Sequence, residues 1–146
     1  MPDCVGHRLS GDELRPEALD DLGLPSALAT LADRVTERTG LPVSVELDEN
    51  LPQLAPEEEL VVYRVAQESL TNVIKHAGAS GAQLSLKREN GGVQLAVRDD
   101  GRGLNGAGTG NGMRGMRERA LLVGATLRIA PAVPRGVEVH LVIPPP

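Results

Sequence analysis

Apolar residues recur along this chain with two spacings, one typical of helices and one typical of strands. Between Pro25 and Thr39 they follow an i, i+3, i+4, i+7 pattern, which predicts an amphipathic helix that ends at Gly40. The same type of pattern predicts a long helix from Glu57 to Ala77 and another from Met113 to Val123. The core face of this last helix is predicted to contain Met113, Met116, Ala120 and Leu121.

Five further segments alternate apolar with polar residues, as half-buried strands do. These segments are Val43–Leu47, Leu84–Leu86, Val93–Val97, Leu127–Ile129 and Val137–Ile143. Asn90-Gly91-Gly92 is a hairpin signal, and it predicts that the second and third strands pair antiparallel. The order of elements predicts an α/β (α+β) fold: a two-layer α/β sandwich, with a mostly antiparallel mixed sheet of about five strands covered on one face by about three helices.

Composition and charge narrow the class of protein. A length of 146 residues suits one domain, and a net charge of −5 argues against a general nucleic-acid binder. Tyr63 is the only aromatic residue, so a base-stacking surface cannot form. No apolar run approaches the ~20 residues that span a bilayer, and Cys4 has no second cysteine to pair with. We therefore expect a cytoplasmic domain that contacts neither nucleic acid nor membrane.

The predicted helix from Glu57 to Ala77 has two different faces. One face is an apolar stripe of Tyr63, Ala66, Leu70, Val73, Ile74 and Ala77. The opposite face is a polar row of Glu68, Asn72, Lys75 and His76. Residues four apart are neighbours on a helix, so this row presents a carboxylate, an amide and two basic groups together. Such a row is ordinarily a solvated helix face, unless other segments complete a ligand site beside it.

A glycine-bearing segment follows the third predicted strand. Continuing the strand alternation places Asp99 on the inward face with Val97. A carboxylate there can accept a hydrogen bond from an amino group, for instance that of adenine, and Gly101 and Gly103 let the backbone approach a flat ligand. The same residues are also compatible with an ordinary turn from strand to loop, because Asp-Gly is a common turn pair.

A second glycine-rich segment, residues 104–111, precedes the last predicted helix. Gly110-Asn111-Gly112-Met113 would open that helix, where free backbone N–H groups at a positive helix end can bind phosphate. No Lys-Ser or Lys-Thr follows, so this is not a loop of the GxxxxGK[ST] type. We expect residues 104–111 to be a mobile lid that orders over bound phosphates; the alternative is a flexible linker without a ligand.

Together, these segments resemble the ATP-binding motifs of sensor histidine kinases. Glu68-Ser69-Leu70-Thr71-Asn72, with Lys75-His76-Ala77, resembles the asparagine box, and Asp99-Asp100-Gly101-Arg102-Gly103 resembles the first glycine box. Residues 110–119 are similar to the second glycine box of nitrate-sensor-like and desaturase-sensor-like kinases. The resemblance covers roughly residues 51–144 and implies a Bergerat-type ATP-binding fold of the superfamily that includes DNA gyrase and heat-shock chaperones.

The resemblance also implies an enzyme, an ATP-dependent phosphotransferase that uses ATP and Mg²⁺. Asp99 would accept a hydrogen bond from the adenine amino group, Asn72 would coordinate Mg²⁺, and Glu68 would be the catalytic residue that assists the phosphoacceptor. The other nucleotide-binding positions that it implies are Lys75, His76, Gly101, Arg102, Gly103, Gly110, Gly112 and Met113.

The resemblance implies partners as well. Residues 1–24 would be a connector from a missing dimerisation domain, and residues 25–146 would be the ATP-binding catalytic domain. That dimerisation domain would carry the phosphoacceptor histidine, which would pass the phosphoryl group to a response regulator. This chain has no Glu-Leu-His-Asp-like segment, so we expect a monomeric fragment that binds ATP without phosphorylating itself. Val137 stands where family members often have Thr, which predicts a low nucleotide affinity. The alternative function is an anti-sigma-factor-type serine kinase or regulator on the same fold.

Overall fold

The structure is a computed structural model that describes residues 17–102 and 111–145. Its helices are α1 (Glu17–Leu22), α2 (Leu24–Thr39), α3 (Pro56–Asn72) and α4 (Asn111–Leu122). Its strands are β1 (Val43–Leu47), β2 (Ala82–Glu89), β3 (Gly92–Asp99), β4 (Thr126–Pro131) and β5 (Val137–Ile143). A π-helical turn, Val73–Ala77, continues α3 directly. Within the described ranges, no helix combines the length and the apolar character that a membrane crossing requires.

The five strands form one sheet in the order β1-β2-β3-β5-β4. Strand β1 pairs parallel to β2, and each of the other neighbouring pairs is antiparallel. The hairpin predicted at Asn90 joins β2 to β3, and its ladder ends at the pair formed by Ala82 and Asp99. The predicted sheet, mixed but mostly antiparallel, is confirmed.

An aliphatic core fills the space between the helices and one face of this sheet. The largest fully buried side chains on the strands are Leu84, Leu86, Val93, Leu95, Leu141 and Ile143. Helix α3 packs against β3 and β5, while α4 packs against α3 and β4. Burying each such side chain contributes about 1.5–3 kcal/mol. Because these residues alternate along the strands, one face of the sheet is apolar, and the helices cover that face. The alternate strand residues, such as Gln83 and Arg98, lie on the face without helices.

Two positions that were expected in the core are exposed instead. Ile74 is 44% exposed, whereas Val73 is buried, because Ile74 follows Val73 by one residue and so lies to one side of the buried stripe. Leu121 is 76% exposed, whereas Met116 and Ala120 are buried. Leu121 follows Ala120 by one residue, or about 100° around the helix, so it leaves the buried stripe.

A close backbone contact joins the connection before β5 to the end of β3. Gly136 has a φ of +105°, and a Cβ atom at this position would lie 1.9 Å from the carbonyl oxygen of Asp99. No side chain fits in that space. The glycine therefore lets two backbone segments pack directly against each other beside Asp99.

This contact predicts that Gly136→Ala destabilises the protein more than Gly124→Ala. Both glycines have a positive φ, but a Cβ atom at Gly124 would meet nothing within 4 Å. The control should lose about 1–2 kcal/mol from the backbone conformation alone, and Gly136→Ala should lose roughly 2–5 kcal/mol because the steric clash adds to it. Urea unfolding followed by circular dichroism measures both. Equal losses would show that the contact with Asp99 is not a constraint.

Candidate functional site

Asp99 ends β3 on the face that the helices cover, as the sequence predicts. Its side chain is only 6% exposed. The backbone N–H of Gly101 donates to one carboxylate oxygen, Oδ1, at 2.7 Å. Across the part of the chain that the structure describes, the second oxygen has no hydrogen-bond partner. Asp99 is thus a fixed, largely desolvated carboxylate that can accept one more hydrogen bond.

The backbone after Asp99 is held by a residue that the sequence analysis did not single out. Gly101 is buried, and its carbonyl oxygen accepts a hydrogen bond from Nε of Arg135 at 2.9 Å. Arg135 belongs to the connection between β4 and β5, 34 residues away along the chain. No motif or spacing marks this arginine, since only the folded sheet brings it to Gly101.

Glu68 and Asn72 lie one helical turn apart on α3 and are both half-buried. Ser69 between them is 3% exposed, and its hydroxyl donates to the sulfur of Met116 at 3.7 Å. This contact, together with the packing of Met116, holds α4 against α3. The structure therefore brings the asparagine-bearing helix next to the helix that begins at Asn111, and both pack over the strands that carry Asp99 and its neighbours.

The remaining predicted site residues are described to different extents. Lys75 is exposed in the π turn, and the side chain of Arg102 lies against Gly78, where an added Cβ would be 3.8 Å from its Nε. The backbone of His76 is in the π turn, and Gly112 and Met113 are in the first turn of α4, but their surroundings are not described. Gly103 and residues 104–110 of the predicted lid lie outside the described residues, whereas Asn111, its last residue, begins α4.

Asp100 points away from the Asp99 carboxylate and binds the segment that follows the π turn. One of its oxygens accepts from the backbone N–H groups of Ser80 at 2.9 Å and Gly81 at 3.2 Å. Its other oxygen accepts from the Ser80 hydroxyl at 2.5 Å. The Ser80 side chain contributes most to lowering the pKa of Asp100, and the Ser80 backbone N–H contributes next.

A pocket of about 820 Å³ lies at the same end of the sheet, and Asp99 is among its lining residues. Ser44, Gln83 and Arg98 line it, and these residues belong to the face of the sheet without helices. Neither Glu68 nor Asn72 contributes to it. The cavity therefore reaches Asp99 but does not include the polar row on α3.

Residues 57–146 match the protein family described as "Histidine kinase-, DNA gyrase B-, and HSP90-like ATPase". The chain belongs to this ATPase family. The matched region contains every segment of the site described above, from the polar row on α3 to the strand that follows Gly136. The resemblance of the three motifs to this ATPase superfamily is confirmed.

Named relatives of the ATPase domain are sensor histidine kinases. This chain is 42% identical over 118 residues to the sensor histidine kinase MctS of Rhizobium johnstonii. That alignment covers 77% of this chain and 25% of MctS. It is 38% identical over 136 residues to the oxygen sensor histidine kinase NreB of Staphylococcus carnosus, covering 90% of this chain and 39% of the relative. The chain thus spans well under half the length of these two relatives.

Solved structures lead to the same family. The blue-light activated histidine kinase of Erythrobacter litoralis EL346 superposes with a TM-score of 0.68 at 27% identity, over 83% of this chain and 45% of that one. The sandwich fold predicted for the ATPase domain is confirmed. The chain corresponds to the catalytic ATPase domain of these kinases, which are transferases.

The contacts of Asp100 predict a pH-dependent contribution to the stability of the ATPase domain. Its pKa in the folded state lies below the ordinary value of 3.8, so the charged carboxylate stabilises the fold above that value and loses this effect as the pH falls through the folded pKa. The wild type should therefore exceed Asp100→Asn in unfolding free energy at about pH 7, and the difference should shrink below about pH 4. Urea unfolding across this range tests it. A difference that does not change with pH would contradict it.

Proposed function

We propose that this domain binds ATP with Mg²⁺ between α3, the end of β3 and the start of α4. In the parent sensor kinase it would donate the γ-phosphoryl group to a histidine of the dimerisation domain, for relay to a response regulator. The observation that carries the proposal is Asp99. It is a buried carboxylate with one oxygen held by Gly101 and the other available on the helix-covered face.

Asp99 has the properties needed to recognise an adenine amino group. A buried carboxylate costs free energy unless it is hydrogen-bonded, so a ligand N–H that reaches its second oxygen gains a charge-assisted bond. Gly101 fixes the carboxylate before the ligand arrives, which lowers the cost of ordering on binding. Val137 lies in β5 beside the end of β3 and offers no hydroxyl to support this contact. We accordingly expect affinity in the micromolar-to-millimolar range, or about 4–8 kcal/mol.

Asn72 and Glu68 would act on the phosphate end of the nucleotide. Mg²⁺ would supply charge neutralisation for the phosphates, and it prefers oxygen ligands of which the protein gives only one or two. The residues on α3 fit this kind of site, since the half-buried Asn72 carries an amide oxygen and the half-buried Glu68 a carboxylate. Asn72 would offer its amide oxygen. Glu68, one turn earlier, would orient the phosphoacceptor or accept its proton.

The remaining predicted contacts are proposed on the same basis. The backbone N–H groups that open α4, at Gly112, would face the phosphates at the positive helix end. Additional contacts would come from Lys75, His76, Arg102, Gly103, Gly110 and Met113.

The phosphoacceptor histidine would belong to a part of the parent kinase outside this chain. MctS and NreB are named sensor histidine kinases, and the alignments cover only 25% and 39% of their lengths. This supports a partner domain that supplies the histidine, with residues 1–24 as the connector to it. The kinase would act in the cytoplasm, in a two-component system.

We predict that Asp99→Asn weakens ATP binding roughly ten- to a hundredfold, equivalent to 1.5–3 kcal/mol for a lost hydrogen bond to a charged group. The amide oxygen can still accept from Gly101, which leaves the NH₂ group facing the adenine amino group, donor against donor. Calorimetric titration with ATP measures the change, and circular dichroism checks that the fold persists. Asp48→Asn, an exposed carboxylate outside the site, is the control. Unchanged affinity in Asp99→Asn would remove this residue from the site.

We also predict that Asn72→Ala reduces the effect of Mg²⁺ on ATP binding more than it reduces binding itself. The contact of Asp99 with adenine would survive, while the metal would lose its protein oxygen. The measurement is ATP titration with and without Mg²⁺. Asn50→Ala, in the exposed loop before α3, is the matched control and should keep the full metal effect. If Asn72→Ala also keeps it, Asn72 is a solvated helix residue.

A further inference from the structure

The two neighbouring aspartates at the end of β3 face opposite ways and bind different things. Asp99 points to the helix-covered side, whereas Asp100 is exposed and accepts three hydrogen bonds from Ser80 and Gly81. We name Asp100, Ser80 and Gly81 together the Asp100 clasp. None of the proposed contacts with ATP involves the clasp directly. Any effect of the clasp on nucleotide binding must therefore come from the residues that it positions.

The clasp begins where the pairing of β2 with β3 stops. Ala82 and Asp99 are the last paired residues of the ladder. Beyond them the backbone N–H groups of Ser80 and Gly81 find no strand partner, and the Asp100 side chain accepts both in place of a backbone carbonyl. The carboxylate thereby extends the connection between the two strands past the end of the ladder.

The segment held by the clasp leads directly back to Asn72. Asn72 ends the α-helical part of α3, the π turn follows, and Gly78 in a left-handed conformation (φ +57°) turns the chain toward Ser80. The Arg102 side chain lies against Gly78, which adds a second contact between the same two segments. Only a short segment of chain separates Asn72 from Ser80, and the clasp holds the Ser80 end of it beside Asp99. The clasp therefore helps to set the position of Asn72 relative to Asp99.

We propose that Asp100 is a positioning residue for nucleotide binding, which sets the spacing between Asp99 and Asn72 so that one ATP–Mg²⁺ molecule can reach both. This inference rests on the proposed function. A ligand that spans two contacts binds well only when both are already in place, because ordering either one subtracts from the affinity. A ligand that uses Asp99 alone, such as adenosine, does not depend on that spacing.

The structure offers a matched control at the opposite end of the sheet. The carboxylate of Asp48 accepts a hydrogen bond from the backbone N–H of Arg88 at 2.8 Å, just past β1 and near the end of β2. Asp48 is exposed, like Asp100, and it also bridges two strand ends. Asp48→Ala therefore removes a similar type of contact away from Asp99 and Asn72.

The test compares calorimetric affinities for ATP–Mg²⁺ and for adenosine in the 146-residue chain. Asp100→Ala should weaken ATP–Mg²⁺ binding about tenfold and leave adenosine within about twofold. Ser80→Ala, which loses one bond of the clasp, should weaken ATP–Mg²⁺ about threefold. Asp100→Asn should stay within about threefold of wild type, since an amide can accept from both backbone donors and donate to the Ser80 hydroxyl. Asp48→Ala should match wild type for both ligands.

Two results would overturn the inference. One is an Asp100→Ala protein that binds ATP–Mg²⁺ as tightly as Asp48→Ala does. The other is an equal loss for ATP–Mg²⁺ and adenosine, which would make the effect a general loss of structure. Failure of the proposed function looks different, because then the wild-type protein itself would not bind ATP, or Asp99→Asn would bind it normally.

Discussion

Asp99, a carboxylate that is only 6% exposed at the end of β3, constrains the segments that contact it. Asp99 needs hydrogen bonds to compensate for lost hydration, and it takes the first from Gly101. Gly101 is in turn held by Arg135, and the backbone of Asp99 is packed so closely against Gly136 that no Cβ atom fits. The environment of this one side chain thus fixes the loop after β3 and the connection before β5 together.

The helices complete the site through contacts of a different kind. Helix α3 lies on the aliphatic face of the sheet, and α4 is held to it through the buried Met116, which also accepts the Ser69 hydroxyl hydrogen bond. Neighbouring residues on α3 therefore have separate tasks: Ser69 and Leu70 face the interior, while Glu68 and Asn72 stay half-exposed. A rigid core positions polar groups at its edge, an arrangement suited to a ligand that has an apolar base and a charged phosphate tail.

Much of this fold could be predicted from the sequence because its strands follow a strict two-residue alternation. The same alternation correctly placed Asp99 on the inner face, since that prediction only extends the pattern of Val93, Leu95 and Val97 by one step. The π turn was missed because a helix of constant period contains no signal for a change of register. Ile74 was misplaced because it lies one residue beyond Val73, at the edge of the buried stripe. Arg135 and Ser80 were missed for another reason. Each meets its partner across 34 or 20 residues of sequence, and only the assembled sheet brings them together.

The most direct measurement is a crystal structure of this chain with a non-hydrolysable ATP analogue and Mg²⁺. The account predicts that the adenine amino group contacts the free oxygen of Asp99 and that the metal binds the amide oxygen of Asn72. An analogue whose adenine amino group does not contact Asp99, or whose metal does not contact Asn72, would contradict it.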